Sequence, residues 1–147
     1  MKQDNIQNNK EICNSFELSE IEVRLLNPIT LAYMGDSIYE MYIRRYIVNY
    51  SKDKRGKNLH KLSIKMANAK SQSQFLEVIK DSLKEDELEI VRRGRNSKTG
   101  HVPKSASVID YKRATALEAL IGYLYLLKRI DRLEEIMNII LNEAQLD

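Results

Sequence analysis

Two acids stand where acids are costly. Asp36 lies in LAYMGDSIYEMYIRRYI, residues 31–47, and Glu118 in ATALEALIGYLYLL, residues 114–127. At a helical period both stretches are apolar on most sides. Taking a carboxylate out of water is expensive, so a buried one is normally paired with a cation, protonated, or coordinated to a metal. Gly35 adjoins the first acid, and Gly122 follows the second by one turn on the same face. Glycine lets helix backbones approach closely, so the simplest packing joins the two helices near Asp36 and Glu118 and places both carboxylates in one site. Three chemistries are then open. The acids bond to an Arg such as Arg44 or Arg113, or to a tyrosine hydroxyl; they share a proton as general acid and base, one pKa being raised; or they hold Mg²⁺ or Mn²⁺, hard cations that take a few carboxylates and keep several waters.

A second feature bears on the choice. Residues 92–113 carry seven Lys or Arg against the single Asp110, whereas residues 114–147 carry six acids and three bases. The stretch RRGRNSKTGHVPKSAS, residues 92–107, holds two glycines and a proline and has no apolar period, so a loop is expected there. Such a cluster is either a solvated loop or a surface for phosphate backbones. A divalent metal beside a phosphate-binding surface suits phosphodiester hydrolysis, because the metal stabilises charge developing on the phosphorus oxygens.

The elements that must position these groups all read as helix. Of 147 residues, 43% are hydrophobic and 31% charged, with two prolines, five glycines and a net charge of +3. That composition describes one all-α globular domain, expected over residues 17–147 behind a polar, loosely ordered segment 1–16. Ser19 with Glu22 forms a capping box opening a short helix to about Leu26, and Asn27-Pro28 starts the next, which runs to about Tyr50. Further helices are expected over 58–69, 71–82, from a Ser82/Glu85 box to a stop at Gly94, over 110–128, and from an Asp131/Glu134 box to about Ala144. Residues 31–48 and 114–127 are apolar nearly all round and read as central helices packed on every side. The start MKQDNIQNNK lacks an apolar signal core, and the longest apolar run, 119–127, is far short of the roughly 20 residues a spanning helix needs, so a cytosolic protein without membrane attachment is expected. The lone Cys13 has no partner for a disulfide or zinc site.

The run Tyr33-Met34-Gly35-Asp36-Ser37 resembles the signature helix of the ribonuclease III catalytic domain, and LEALIGYLYL, residues 117–126, is similar to that family's second motif. LAYMGDSIYE, LHK, AKSQ, RGRNSKTG and Pro103-Lys104 extend the resemblance to the short form, mini-ribonuclease III, which consists of the catalytic domain alone. The resemblance implies that Asp36 and Glu118 are metal-binding catalytic carboxylates, with Mg²⁺ as the metal and Mn²⁺ able to substitute. It departs from the full-length pattern at Ala32 and Thr115, where that pattern has acids one turn before each retained one, and a second tightly held metal is thereby in question. It further implies a two-fold homodimer that cuts both strands of double-stranded RNA, here precursor of large-subunit (23S) ribosomal RNA, with a ribosomal protein as a candidate helper. With the sequence ending soon after the helix over 132–144, no appended RNA-binding domain is expected, and the catalytic domain would grip the duplex itself. Arg92, Arg93, Arg95, Asn96, Lys98 and Lys104, supplemented by Ser97, are the candidates for that grip. The alternative is a non-catalytic duplex-RNA-binding module of ribosome assembly.

The remaining polar residues carry plainer expectations. Glu40 is expected to pair with Arg44 at i, i+4 rather than to reach the metal through water. His60 and His101 lack metal-ligand spacing, the first being expected in helix packing and the second exposed. Tyr33, Tyr39, Tyr123 and Tyr125 read as core or dimer contacts, and Lys61 and Lys70 as solvated.

Overall fold

The computed structural model describes residues 18–98 and 101–146, so Cys13 and the expectation of a loose segment 1–16 lie outside the described residues. Among those described are seven α-helices and no strand: α1 (Glu20–Arg24), α2 (Pro28–Tyr50), α3 (Gly56–Ala67), α4 (Ala69–Ile79), α5 (Glu85–Asn96), α6 (Val108–Leu126) and α7 (Ile130–Glu143), with a 3₁₀ turn at Lys80–Ser82.

Local signals account for several of the ends. Ser19 Oγ accepts from the Glu22 N–H while Glu22 accepts from the Ser19 N–H, completing the box at α1. Asn27 caps α2 through Ile29 N–H, with Pro28 in the first turn, where its missing N–H costs nothing. Two expected boxes do not form. Ser82 ends the 3₁₀ turn, and α5 opens at Glu85, where Glu87 reaches back to the Lys84 N–H at 2.8 Å. Arg129, not Asp131, precedes α7, because α6 closes in a Schellman arrangement: Arg129 N–H bonds Leu124 O and Lys128 N–H bonds Tyr125 O, with Lys128 at φ 61°.

The third difference matters for function. Helix α5 does not stop at Gly94 but runs to Asn96, so Arg92, Arg93 and Arg95 are helical and the irregular segment is shorter than expected. Gly94 is buried against α6, where an added Cβ would lie 2.9 Å from Ala116 Cα. It serves close packing instead of ending the helix.

Helix α6 is the centre of the fold, buried from Ala114 to Leu124 apart from Glu118 and touching α1, α2, α4, α5 and α7. Its neighbour α2 crosses it at the two expected glycines. A Cβ on Gly35 would overlap the Glu118 carbonyl oxygen, and one on Gly122 the Leu31 carbonyl oxygen. The main chains are therefore in direct contact, a spacing no side chain would permit. Unlike α6, α2 is not packed all round. Ile29, Tyr33, Met41 and Val48 make an exposed apolar row along it, and Ile21 and Leu25 of α1 are exposed as well.

Candidate active site

The α2–α6 crossing places Asp36 and Glu118 together, because each is carried beside one of the contacting glycines. They differ in exposure: Asp36 is open to solvent, contrary to the fully buried position its apolar surroundings suggest, while Glu118 is half-buried. The exposed face of α2 explains the difference. Glu40, one turn beyond Asp36, pairs with Arg44 at 2.7 Å as expected from its spacing. Around Glu118 stand Tyr39, whose hydroxyl donates to Met66 O at 2.7 Å, and Gln72 of α4, whose Nε2 donates to Ala67 O at 2.8 Å. Tyr39 was expected from its spacing as a core or dimer contact, whereas Gln72 was not singled out. A signal for Gln72 existed all the same, since it is a polar residue on the apolar stripe of Leu76 and Ile79.

The electrostatics show two carboxylates without a cation. Burial raises the Glu118 pKa and the charge of Asp36 raises it further; a hydrogen bond from Gln72 opposes them, and the balance lies at about 8. Partial burial, then the charge of Glu40, raises Asp36 above its ordinary value. Burial first and then Glu118 push the Tyr39 hydroxyl up as well. Neither acid has an arginine or lysine among its ion-pair partners in the described residues. A pair of like charges held up in pKa and lacking a counter-cation is a donor set that fits one hard divalent ion completed by water. No group of three or more His, Cys, Asp or Glu side chains suited to a metal occurs among the described residues. Ala32 and Thr115, both buried, add no carboxylate, and the Thr115 hydroxyl is spent on Tyr111 O at 3.0 Å.

The basic candidates divide into two kinds. Arg93 is not a free cation: its guanidinium donates to the carbonyls of Arg24 and Leu26, both at 2.9 Å, tying α5 to the α1–α2 connection. Arg92 is exposed in an i, i−3 pair with Glu89, a contact that is easily exchanged in water. Arg95, Asn96, Lys98 and Lys104 are exposed. Ser97 Oγ is turned inward onto Gly94 O at 2.6 Å. His101 is exposed as expected; His60, expected in helix packing, is exposed too, because α3 turns Leu62, Ser63 and Met66 to the core instead.

Comparison with known proteins gives this geometry its context. Residues 29–129 match the ribonuclease III domain. The chain belongs to that family. Ribonuclease III relatives include Mini-ribonuclease 3 of Clostridium tetani, 44% identical over 126 residues covering 86% of this chain and 83% of the relative. Mini-ribonuclease 3 of Staphylococcus aureus is 46% identical over 118 residues, covering 79% and 87%. A crystal structure of a protein from Fusobacterium nucleatum superposes with a TM-score of 0.72 at 38% identity, covering 82% of this chain and 95% of that one. The protein is thus an endoribonuclease of ribonuclease III type. No helix among the described residues is long and apolar enough to cross a membrane.

Proposed function

We propose that this protein is a divalent-metal-dependent endoribonuclease that cuts double-stranded RNA, with Asp36 and Glu118 as the metal-holding residues. The single observation behind this reading is the meeting of two carboxylates at one helix crossing with no cation among the described residues to neutralise them. Mg²⁺ or Mn²⁺ held there by Asp36 and Glu118 would let a bound water give up its proton readily and so become a nucleophile toward phosphorus, and would offset charge on the phosphate oxygens. The protein's own part begins with protonation. Glu118, raised to about 8, is largely protonated at neutral pH and must release its proton to become a ligand. Asp36, open to solvent, stands on the side from which a phosphate arrives.

Arg92, Arg95, Asn96, Lys98 and Lys104 are assigned to the duplex backbone, by phosphate and 2′-hydroxyl contacts across an A-form helix. Arg93 supports them by fixing the end of α5. The exposed apolar side chains of α1 and α2 support a two-fold homodimer, which would cover them. Precursor of large-subunit ribosomal RNA is the natural substrate we propose, in the cytoplasm.

The test is direct. A long RNA duplex is incubated with the protein with and without Mg²⁺, and the ends of the products are mapped. Staggered double-strand cuts that require metal and vanish in Asp36→Ala bear the reading out. Undiminished cleavage by Asp36→Ala removes the assignment, and binding without any cleavage in Mg²⁺ or Mn²⁺ leaves only an RNA-binding module.

A further inference from the structure

Gln72 is a polar side chain buried at the site and so far without a role. It sits on the first turn of α4, 3% exposed, on the face that carries Leu76 and Ile79 into the core. One hydrogen of its amide goes to the Ala67 carbonyl at the α3–α4 corner, at 2.8 Å. That carbonyl fixes which end of the amide is nitrogen, because an oxygen turned there would face another acceptor. The amide also stands close enough to the Glu118 carboxylate to favour its ionised form. Its Oε1 is buried and finds no partner among the described residues. Buried acceptors without a partner carry a penalty and are few in folded proteins. A purely structural tie to Ala67 needs only the nitrogen and leaves the unmet oxygen unexplained; a leucine or methionine would fill the same space without that penalty.

We propose that Gln72 is a positioning residue: anchored on Ala67, it orients the Glu118 carboxylate for the metal, and its unpartnered Oε1 accepts a hydrogen from an ordered water of that site. The inference rests on the reading of Asp36 and Glu118 as metal ligands. Ligating carboxylates are themselves usually held by a hydrogen-bonding partner, and loss of that partner typically weakens metal binding or activity by about 10–100-fold. Position 72 is the buried polar group that can do this from outside the two helices bearing the acids.

The experiment measures Mn²⁺ binding to the full chain without RNA, by paramagnetic resonance of the free ion, for the unaltered protein, Asp36→Ala, Gln72→Met and Gln72→Asn. Cleavage against Mg²⁺ concentration at saturating duplex is the second readout. Gln72→Met keeps the volume and loses the amide; Gln72→Asn keeps the amide but is too short to span Ala67 and Glu118, and it serves if the first variant fails to fold. Both are expected to bind Mn²⁺ about 10–100-fold more weakly and to need correspondingly more Mg²⁺, with the rate at saturating Mg²⁺ within a few-fold of normal. Mn²⁺ affinity unchanged in both, whatever happens to their melting temperature, makes Gln72 a structural residue and overturns the proposal while leaving the metal site standing. If the unaltered protein binds no Mn²⁺, or Asp36→Ala binds it equally well, the metal reading falls and takes this inference with it.

Discussion

Two pairs of acids in this molecule have opposite surroundings. Asp86 and Glu87 open α5, and both are neutralised. Glu87, 0% exposed, accepts from Arg132 Nε at 2.9 Å and Nη2 at 2.8 Å; Asp86 accepts from Arg129 Nη1 at 2.7 Å and the Tyr123 hydroxyl at 2.8 Å. Burial pushes both pKa values up, but the arginines and hydrogen bonds outweigh it and hold them below their ordinary values. Asp36 and Glu118 are raised instead, with no arginine or lysine paired to them among the described residues. The chain thus has guanidinium groups with which to silence a buried acid, and it applies them at α5 and not at the α2–α6 crossing. Carboxylates paired within the chain serve the fold; carboxylates left unpaired are available to a cation from outside.

Swapping the consequences of substitution is the sharpest way to break this contrast. Glu118→Gln should drop cleavage below detection on a gel while leaving the melting temperature close to normal, since glutamine mimics the protonated acid already present. Glu87→Ala should do the reverse, costing about 3–5 kcal/mol in chemical denaturation because it takes the buried carboxylate from Arg132 and leaves it only the Ser82 carbonyl and the exposed Glu135, with cleavage retained by the folded fraction. Equal loss of stability in both would erase the distinction. Next in size, Gly35→Ala should cost about 1–3 kcal/mol or more and reduce cleavage as well, because its methyl must push the main chain of Glu118 away. Denaturation together with the cleavage assay checks both effects.

Metal and pH then sharpen the comparison. Mg²⁺ at a hundred times its dissociation constant should add about 2.7 kcal/mol to unfolding, and none in Asp36→Ala with Glu118→Gln. Since the folded Glu118 binds its proton more tightly than the ordinary value of 4.5, the metal-free protein should lose stability as pH rises from about 4.5 through 8. Metal affinity should climb over the same interval, by roughly tenfold per pH unit for one released proton, and level off above it. Calorimetric titrations at pH 6, 7 and 9 measure this, and a flat affinity would show that Glu118 does not bind metal from a raised pKa. Asp86 and Glu87, with lowered values, give the opposite sign: their contribution is present at neutral pH and is lost in acid. The smallest effect is expected for Arg92→Ala, within about 0.5 kcal/mol in stability, yet with the salt dependence of duplex binding reduced by roughly one phosphate contact.

Much of this was legible in the sequence, and the limits have physical causes. The crossing of α2 with α6 followed from two glycines beside two acids, because only close backbone approach gives a glycine such value there. The end of α5 was misplaced for the same type of residue: Gly94 looks like a stop, but its absent side chain makes room for Ala116, a tertiary demand that no local pattern carries. The roles of the arginines were equally hidden. Arg93 and Arg92 are neighbours of one type, yet one ties the α1–α2 connection and the other stands in water, a choice made by helical phase relative to α1. The pairing of Glu87 with Arg132 spans 45 positions and has no local signature. Gln72 needed only to be noticed as a polar residue where its stripe asked for an apolar one.

The touching main chains of α2 and α6 have a last implication. Since carbonyl oxygens and glycines, not longer side chains, fix the separation of the helices, the spacing between the Asp36 and Glu118 positions is set by the main chain itself. Altering either acid's side chain should therefore leave this socket's shape standing, whereas a methyl on Gly35 or Gly122 would pry it apart.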